Sequence, residues 1–515
     1  FKGRLNSWEI MPYFKDLWDE DHAIHTKYFH TRFSTNTDPH PSMAQPFRLM
    51  AHNGELNTDK KNRLSEAAVA RARNTAIVRP PGQSDSCRLD QTLNARVFAD
   101  GLDLVSAVVA MMPPAWENDP RYSPQVRAML EYFSLYEEKN DGPAALVFGN
   151  GTVSGARLDR LGLRPLRTVE TAEYLAVMSE AGQVSFPPEA VLRRGRVEAG
   201  GMIYYDHAAK RIWSTDNALE ALAAHHDYPV LLREAATDIE DLPTPAVRAA
   251  DAARRYEGDL ANAARYVAYT HNQESFKFLM DPMLQTGVER VSAMGYGNAI
   301  NVFSDAEGGV AKYFSQRFAQ VTNPPLDSIR EADGMTLRVA LGEKPQTGRS
   351  RSRQIVVQSP VLRMADMLKI KAQQDTPLER FDILYAPVFG DVAANEAAIQ
   401  TATDKVADAV VGFDSDRGGI AILTARHIAR ASAALPMTIA VSAINQRLIE
   451  EGLRFKVSLV VESGQIASSH HIACALGFGA SAVYPLGVRM RAEELFGEDK
   501  AAEAFFRFQK AAEKA

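Results

Sequence analysis

Short, strongly apolar β-type segments alternate with helical segments over the last third of the chain, and this pattern constrains the fold most. The β-type segments are "FDILYAPVF" (381–389), "DAVVGFDS" (408–415), "FKVSLVVESG" (455–464) and "ASAVYP" (480–485). Helices are predicted between them near 393–407, 421–434 and 466–477. Strands that alternate with helices in this way are typical of βα units. We therefore expect residues 286–515 to form an α/β domain with a mostly parallel sheet.

The first 215 residues carry different signals. The segment "AALVFGNGTVSGARL" (144–158) consists of two apolar runs around an Asn-Gly pair, which is a strong hairpin signal. Further strands are predicted within 173–180 and 200–206, and apolar residues at helical spacing predict a helix within 124–139. Strands in blocks with helices beside them predict an α+β domain rather than a wound parallel sheet.

Two stretches between these parts have their own character. Residues 216–285 are rich in alanine and predict a helical connector. The segment "GEKPQTGRSRSRQ" (342–354) is basic and polar, and we expect it to be exposed. With 515 residues the chain exceeds one ordinary core, and length alone suggests about three domains.

Charge and composition exclude several classes of function. The net charge of -6 argues against a nucleic-acid-binding protein, since phosphate backbones need a basic surface. No apolar run is long enough for a transmembrane helix. The two cysteines, Cys87 and Cys474, are far apart and lack the spacing of metal ligands. We expect no metal site and no disulfide framework, and a reducing compartment such as the cytoplasm.

Three polar groups in the first domain have complementary chemistry. Arg32, in a segment of strand-like composition, carries the planar fork that matches a carboxylate. In "HNGE" (52–55), the Asn53 amide and the Gly54 N–H can form an oxyanion hole. Asp85, in the polar turn "SDS", can receive an ammonium group. Together they would hold both ends of an amino acid, although each residue alone is more often a turn, cap or surface residue.

These segments resemble a known family. The stretch "HTRFSTNTDPHPSMAQPFRLMAHNGELNT" (30–58), with "SDSCRLDQTL" and "LDRLGLRPLR", is similar to class II glutamine amidotransferases, in the form found in the glutamate synthase large subunit. The segments "FAQVTNPPLDSIRE" (318–331) and "LVVESGQIASSHHIACALGFGASAVYP" (459–485) resemble the central domain of that enzyme. The resemblance covers nearly the whole chain. It implies an N-terminal-nucleophile-type αββα sandwich, in part, within residues 1–215.

The resemblance also implies roles for the same residues. Arg32 would hold the α-carboxylate of L-glutamine, Asp85 its amino group, and Asn53 with Gly54 the oxyanion. The family's nucleophile is an N-terminal cysteine, whereas position 1 is phenylalanine. Since Cys87 has no free α-amine, it is an unsuitable replacement. We therefore expect a truncated amidotransferase domain that supplies the binding and oxyanion groups, is inactive alone, and belongs to a longer enzyme.

Further expectations concern cofactors and partners. The resemblance implies no cofactor in this segment, and FMN with an iron–sulfur cluster in the part beyond Ala515. Ammonia would pass internally to 2-oxoglutarate, and electrons would come from an NADPH-oxidising small subunit or from ferredoxin. The lone G-x-G at 477–479 follows a predicted helix, and adjacent His470 and His471 do not face one way, so neither predicts a cofactor site.

The alternative is a non-catalytic glutamine-binding or scaffold protein. In that case the absence of the nucleophile would be genuine. Coding sequence upstream of Phe1 discriminates between the two hypotheses: an in-frame Met-Cys start favours the enzyme, and a stop codon directly before Phe1 favours the scaffold. Another class II amidotransferase is disfavoured, because residues 270–515 contain no P-loop or comparable phosphate-binding motif.

Overall fold

The structure is a computed structural model. It describes residues 1–32, 40–56, 84–245, 260–291, 309–315, 334–344, 352–413 and 418–515, and single residues 327, 329 and 332. These residues form two compact units. The first lies within 1–60, 77–232 and 322–336, and the second mainly within 233–321 and 337–515.

The helices and strands of the described residues are numbered in chain order. The α-helices are α1 Ile10–Tyr13, α2 Asp85–Phe98, α3 Leu104–Met111, α4 Pro124–Tyr136, α5 Thr215–Ala223, α6 Tyr228–Ala235, α7 Asn262–Ala268, α8 Asp281–Thr286, α9 Met364–Ala372, α10 Val392–Gly412, α11 Met437–Glu450, α12 Ser469–Gly477, α13 Leu486–Phe496 and α14 Glu498–Lys514. The strands are β1 Met50–Gly54, β2 Ala144–Gly149, β3 Val153–Leu158, β4 Arg167–Thr171, β5 Leu175–Met178, β6 Val191–Arg196, β7 Met202–Asp206, β8 Arg211–Ser214, β9 Ala236–Asp238, β10 Val339–Leu341, β11 Gln354–Val357, β12 Leu378–Asp382, β13 Leu384–Tyr385, β14 Gly419–Thr424, β15 Ala433–Ala434, β16 Val457–Ser463 and β17 Ala482–Pro485.

The first unit contains two antiparallel sheets. One has the order β1-β2-β3-β7-β8, so that β1 lies at an edge, and the other has the order β5-β4-β6. The predicted hairpin at 144–158 is confirmed, because β2 and β3 pair antiparallel from Ala145↔Leu158 to Gly149↔Ser154. Side chains from both sheets share one buried cluster, which includes Leu158 of β3 and Val197, directly after β6.

Helices of the first unit begin where their sequences place capping groups. The predicted helix at 124–139 is confirmed as α4, with Pro124 in its first turn and the Ser123 side chain accepting the Val126 N–H. Helix α3 is buried along its whole length, in keeping with its apolar sequence "LVSAVVAM". Its N-cap is Asp103, which accepts the Ser106 N–H.

The second unit contains the expected parallel sheet. Strands β12, β14, β16 and β17 lie in that order, and each neighbouring pair is parallel. Every residue of β14 and β16 is buried, as expected for parallel strands that are covered on both faces. Among the described residues, no helix combines the length and the apolar character needed to cross a lipid bilayer.

One buried carboxylate lies at the carboxyl end of this sheet. Glu462 of β16 accepts hydrogen bonds from the Thr424 hydroxyl at 2.7 Å, from Arg426 Nη2 at 2.6 Å and from Lys371 Nζ at 3.1 Å. Burial alone would raise the pKa of Glu462, but the two cations outweigh it and hold the pKa at about 2. The carboxylate therefore stays charged inside the protein.

Several local predictions are wrong. "DAVVGFDS" does not form a strand: Asp408–Gly412 end helix α10, where Val410 is buried at helical spacing. The helix expected near 421–434 is also wrong, because strand β14 occupies 419–424 and the next helix, α11, begins at Met437. Short apolar runs are ambiguous between helix and strand, which explains both errors.

Other predictions are only partly met. The segment 342–354 is not uniformly exposed, because Glu343 and Gln354 at its two ends are buried. "FDILYAPVF" contributes to two short strands, β12 and β13, instead of one. Residues 33–37, 246–259 and 345–351, which belong to segments interpreted above, lie outside the described residues.

Candidate functional site

Asn53 and Gly54 lie at the end of β1. This strand is bordered by β2 on one side, with Asn53 opposite Ala145 and Gly54 opposite Ala144. Asn53 is half-buried and Gly54 is exposed. Among the described residues, the Asn53 amide has no hydrogen-bond partner. The amide is therefore available to a ligand.

The Gly54 N–H points away from the sheet. Backbone groups alternate sides along an antiparallel strand. Leu49 and Glu55 face β2, because Leu49 accepts the Gly149 N–H at 2.8 Å and Glu55 donates to Pro143 O at 2.8 Å. The N–H of His52 faces the other way, towards Gln45 Oε1 at 2.5 Å. By this alternation the Gly54 N–H also lies on the free edge of the sheet.

Only glycine fits at position 54. Its φ is 149°, in the region that other residues rarely adopt. A Cβ at this position would lie 1.9 Å from Pro143 O, far inside van der Waals contact. Because the backbone of Gly54 runs so close to Pro143, the N–H next to Asn53 is held in a defined direction.

Asp85 is the first residue of helix α2, and not part of a turn as the sequence suggested. The Ser84 side chain caps the helix by accepting the Cys87 N–H at 3.2 Å. Asp85 thus lies in the first turn, where the helix dipole stabilises a negative charge. Its carboxylate is 3.8 Å from Arg88 Nε, and its side chain is 18% exposed. A partly exposed carboxylate can receive a ligand ammonium group.

Asp90, also in α2, ties the helix to the start of β1. Its carboxylate accepts the backbone N–H groups of Arg48, Leu49 and Met50 at 3.2, 2.8 and 3.1 Å. Burial raises the pKa of Asp90, although the three N–H donors act against this shift. The contact sets the position of β1 relative to the helix that carries Asp85.

A second contact joins the same two elements nearer the candidate residues. His52 Nε2 and Ser86 Oγ are in hydrogen-bond contact. His52 precedes Asn53, and Ser86 follows Asp85, so Asn53 and Asp85 lie on elements that touch through their immediate neighbours. Burial, and to a smaller extent the charge of His30, lowers the pKa of His52 to about 4. His52 is therefore neutral at physiological pH.

Arg32 lies in an exposed segment without regular structure, so the strand-like setting expected for it is absent at 30–32. Its backbone N–H donates to His30 Nδ1 at 3.2 Å. Burial, and to a smaller extent the Arg32 charge, lowers the pKa of His30. His30 in turn interacts electrostatically with His52. The Arg32 guanidinium has no partner among the described residues.

A hydrogen-bond contact joins the β1 and α2 parts of the site directly. Within the described residues, the Arg32 segment is linked to them through the electrostatic interactions of His30. Sequence reasoning missed the residues that make these connections: His30, His52, Ser86 and Asp90. The bond between Asp90 and Leu49 joins residues 41 positions apart. No local pattern in one sequence marks such a pair.

The described part of the chain shows no cluster of metal-ligating side chains. Among the described residues, no three or more His, Cys, Asp or Glu side chains are arranged to hold a metal ion. His470 and His471 have different partners, since His470 Nε2 contacts Ala311 O at 2.6 Å and His471 Nδ1 contacts Ser468 Oγ at 2.8 Å. Cys87 and Cys474 are not joined by a disulfide bond.

Comparison with known proteins gives two family matches. Residues 1–231 match the family described as glutamine amidotransferases class-II. Residues 264–515 match the family described as glutamate synthase central domain. Among solved structures, the glutamine phosphoribosylpyrophosphate amidotransferase of Bacillus subtilis aligns with 88% of this chain and 75% of that chain, at 12% identity and a TM-score of 0.22. That TM-score is too low to compare the folds.

Curated relatives align over most of the chain. The ferredoxin-dependent glutamate synthase of Cyanidium caldarium is 30% identical over 503 residues, which are 94% of this chain and 32% of that protein. The NADH glutamate synthase of Schizosaccharomyces pombe is 31% identical over 94% of this chain and 24% of that protein. The NADPH glutamate synthase large chain of Bacillus subtilis is 31% identical over 94% of this chain and 32% of that protein.

The chain spans about a third or less of the length of these relatives. Both parts of the resemblance identified from the sequence are confirmed by the two family matches, in the same order along the chain. With residues 1–231 matching the class II glutamine amidotransferases and residues 264–515 the glutamate synthase central domain, the chain is similar to this part of a glutamate synthase large subunit.

Proposed function

We propose that this chain is the glutamine-binding part of a glutamate synthase. In this proposal Arg32 binds the α-carboxylate of L-glutamine and Asp85 binds its amino group. Asn53 and the Gly54 N–H stabilise the oxyanion that forms at the side-chain amide during hydrolysis. The observation that carries the proposal is the pair of donors at 53 and 54: among the described residues, the Asn53 amide has no partner and the Gly54 N–H lies on a sheet edge without a neighbouring strand.

The charges at the two ends of the site support an amino acid as substrate. The Arg32 guanidinium, which has no partner within the described residues, and the Asp85 carboxylate at a helix start are complementary to a carboxylate and an ammonium group. His52, which precedes Asn53, is neutral at physiological pH and adds no competing charge to the site. The substrate would therefore be held at both ends, with its side-chain amide free to reach the donors.

The complete enzyme would carry out further steps. Its nucleophile would be an N-terminal cysteine, and the ammonia released from glutamine would pass internally to 2-oxoglutarate for reductive synthesis of glutamate. FMN and an iron–sulfur cluster would belong to its C-terminal part, with electrons from an NADPH-oxidising small subunit or ferredoxin. We propose a cytoplasmic location, in keeping with Cys87 and Cys474 as reduced cysteines that form no disulfide bond with each other.

The fold of the first unit is also part of this proposal. We assign residues 1–215 to an N-terminal-nucleophile-type αββα sandwich, followed by a connector at 216–285 and the central domain at 286–515. Two antiparallel sheets that share a buried cluster support the ββ layers of such a sandwich.

Calorimetry with L-glutamine and the 515-residue chain tests the binding groups. Arg32→Gln and Asp85→Asn should each weaken binding by about tenfold or more, because each removes a charge-assisted hydrogen bond. Arg194→Gln and Asp404→Asn change exposed residues outside the site and serve as matched controls. D-Glutamine should bind more weakly, because its two charged groups cannot meet both partners. If all four variants weaken glutamine binding equally, the assignment of Arg32 and Asp85 as binding residues is wrong.

The complete enzyme permits a second test. Arg32→Lys should raise KM for glutamine and leave ammonia-dependent glutamate synthesis nearly unchanged, because ammonia does not use the carboxylate-binding group. If both activities fall equally, the substitution has damaged the fold, and the result contradicts a role of Arg32 that is specific to glutamine.

A further inference from the structure

Strand β6 forms an open edge of the second sheet of the first unit. The sheet order is β5-β4-β6, so β6 has a partner on one side only among the described residues. Val197, directly after β6, donates its N–H to Leu166 O at 2.9 Å, towards the β4 side. By alternation, the backbone groups of Arg194 and Arg196 point to the open edge, whereas Leu192 lies at a register shift of the β4–β6 pair, beyond which the alternation does not extend.

This edge is strongly cationic. Arg193, Arg194 and Arg196 of β6 are exposed, and so is Arg167 of the neighbouring strand β4. None of the four forms an ion pair with a described residue. Glu170 stands opposite Arg193 in the register, and it is the one acidic residue of β4. The whole chain carries a net charge of -6, so these arginines concentrate positive charge on an otherwise acidic protein.

The arrangement of the arginines is costly for the sheet itself. Arg167 and Arg196 are directly opposite each other across β4 and β6, and like charges in this position destabilise a sheet. Charged residues on an edge strand protect it from unwanted pairing. That protection requires charge only on β6, whereas Arg167 lies on the inner strand. The Arg167–Arg196 pair therefore lowers the stability of the sheet, and edge protection does not explain why it is present.

The strand geometry defines what this edge can bind. Arg194 and Arg196 share one face of β6, because side chains alternate along a strand and both lie in the regular part of the β4–β6 pair. A strand added beside β6 would use the outward N–H and C=O groups for its backbone, and its alternate side chains would face Arg194 and Arg196. Carboxylates at alternate positions would complete this pairing.

We propose that β6 and the arginine group, defined as Arg167, Arg193, Arg194 and Arg196, bind an acidic extended segment of a partner protein as an added strand. The backbone of the segment pairs with the open edge, and its carboxylates bind the arginines. This interaction is independent of the proposed glutamine site, which lies on helix α2 and on β1, a strand of the other sheet.

Fluorescence anisotropy with the 515-residue chain and a short labelled peptide of alternating glutamate and threonine tests the proposal. Saturable binding that weakens with added salt is expected, since exposed charges are screened. The double substitution Arg194→Glu with Arg196→Glu should weaken binding by about tenfold or more. The same variant should gain affinity for a peptide of alternating lysine and threonine, which shows that it remains folded.

Two control peptides and one control variant sharpen the test. A peptide with glutamine in place of glutamate should lose binding, and a peptide with a central proline should lose it as well, because proline interrupts strand pairing. Lys405→Glu changes an exposed cation on helix α10 and should leave affinity unchanged. The proposal is overturned if the glutamine peptide, or the peptide with a central proline, binds as tightly as the glutamate peptide. Tighter binding of duplex DNA or phosphatidylserine vesicles than of the acidic peptide also overturns it.

Discussion

The carboxylate of Asp90 and the backbone N–H of Leu49 are joined by a hydrogen bond of 2.8 Å. The same carboxylate also accepts the N–H groups on either side of Leu49. One side chain of α2 therefore satisfies the backbone where the chain enters β1. This bond links the two elements of the candidate site, and the site's geometry depends on it.

Asp90→Ala should lower the free energy of unfolding by about 3 kcal/mol, because it leaves buried N–H groups without an acceptor. Asp90→Asn should cost less, since one acceptor oxygen remains. Urea unfolding measures both effects. Asp404→Ala, at an exposed position of α10, should change stability by less than about 0.5 kcal/mol. A wild-type unfolding curve for Asp90→Ala would show that the contact does not stabilise the protein.

Gly54→Ala should reduce stability and abolish glutamine binding. The new Cβ would meet Pro143 O, and the positive φ would be strained, at a combined cost of about 3 kcal/mol. Thermal unfolding and calorimetry report the two effects. Gly477→Ala is the matched control, because a Cβ at that helical position meets open space. If Gly54→Ala binds glutamine normally, the close approach to Pro143 has no bearing on the site.

The low pKa of His52 predicts a pH dependence of stability. The folded-state pKa of about 4 lies below the ordinary 6.5, so the unfolded chain takes up the proton first as pH falls. The stabilising contribution is complete above about pH 6.5 and is lost progressively towards about pH 4. Between about pH 7.5 and about pH 5 the loss should be near 2 kcal/mol.

Comparison of His52→Gln with the unsubstituted chain isolates this contribution, because other histidines titrate in both proteins. The difference between their unfolding free energies should shrink as pH falls from about 7.5 to about 5. In NMR of the imidazole C–H groups, the resonances that shift only at low pH should include His271 and His471 as well as His52, and the His52 resonance should be the one missing from His52→Gln. A His52 resonance that titrates near pH 6.5 would contradict the buried, neutral ring.

Glu462 predicts a second acid transition, in the other unit. Its folded-state pKa of about 2 lies below the ordinary 4.5, so its contribution is present above about pH 4.5 and is lost as pH falls through about 2. Its full size is about 3 kcal/mol. Urea unfolding of Glu462→Gln should show lower stability at neutral pH and a smaller decrease on acidification.

Glu503→Gln provides the control for this prediction. Glu503 pairs with Arg507 at 2.9 Å on α14, and the Glu503 side chain is 74% exposed. Such a surface pair contributes little to stability, so the variant should follow the pH dependence of the unsubstituted chain. Identical acid profiles for Glu462→Gln and the unsubstituted chain would rule out a stabilising role for the Glu462 contacts.

Much of the architecture could be predicted from local patterns. The Asn-Gly pair between two apolar runs predicted the β2–β3 hairpin, and the long apolar run "FKVSLVVESG" predicted the fully buried strand β16. The prediction failed at 408–434, where a short apolar run belongs to a helix face. There the choice between helix and strand depends on which surface packs against the run, and that surface is distant in the sequence.

In the candidate site, too, some features could be predicted from the sequence and others depend on contacts between distant residues. The chemistry of Arg32, Asn53, Gly54 and Asp85 could be inferred from residue type and resemblance, and their roles remain predictions. The start of α2 at Asp85 was missed, because "SDS" is equally typical of a turn and of a helix cap. The contact of His52 with Ser86 joins residues 34 positions apart, so only the folded chain brings it about.

The direction of the Gly54 N–H has a consequence for how such a chain diverges. A hydrogen-bond donor that belongs to the main chain survives every side-chain replacement except proline. Substitution at position 54 is therefore limited by the space beside Pro143 and not by the need for a particular side-chain group. Relatives can exchange most surrounding residues and still keep the donor, provided that the strand retains its register.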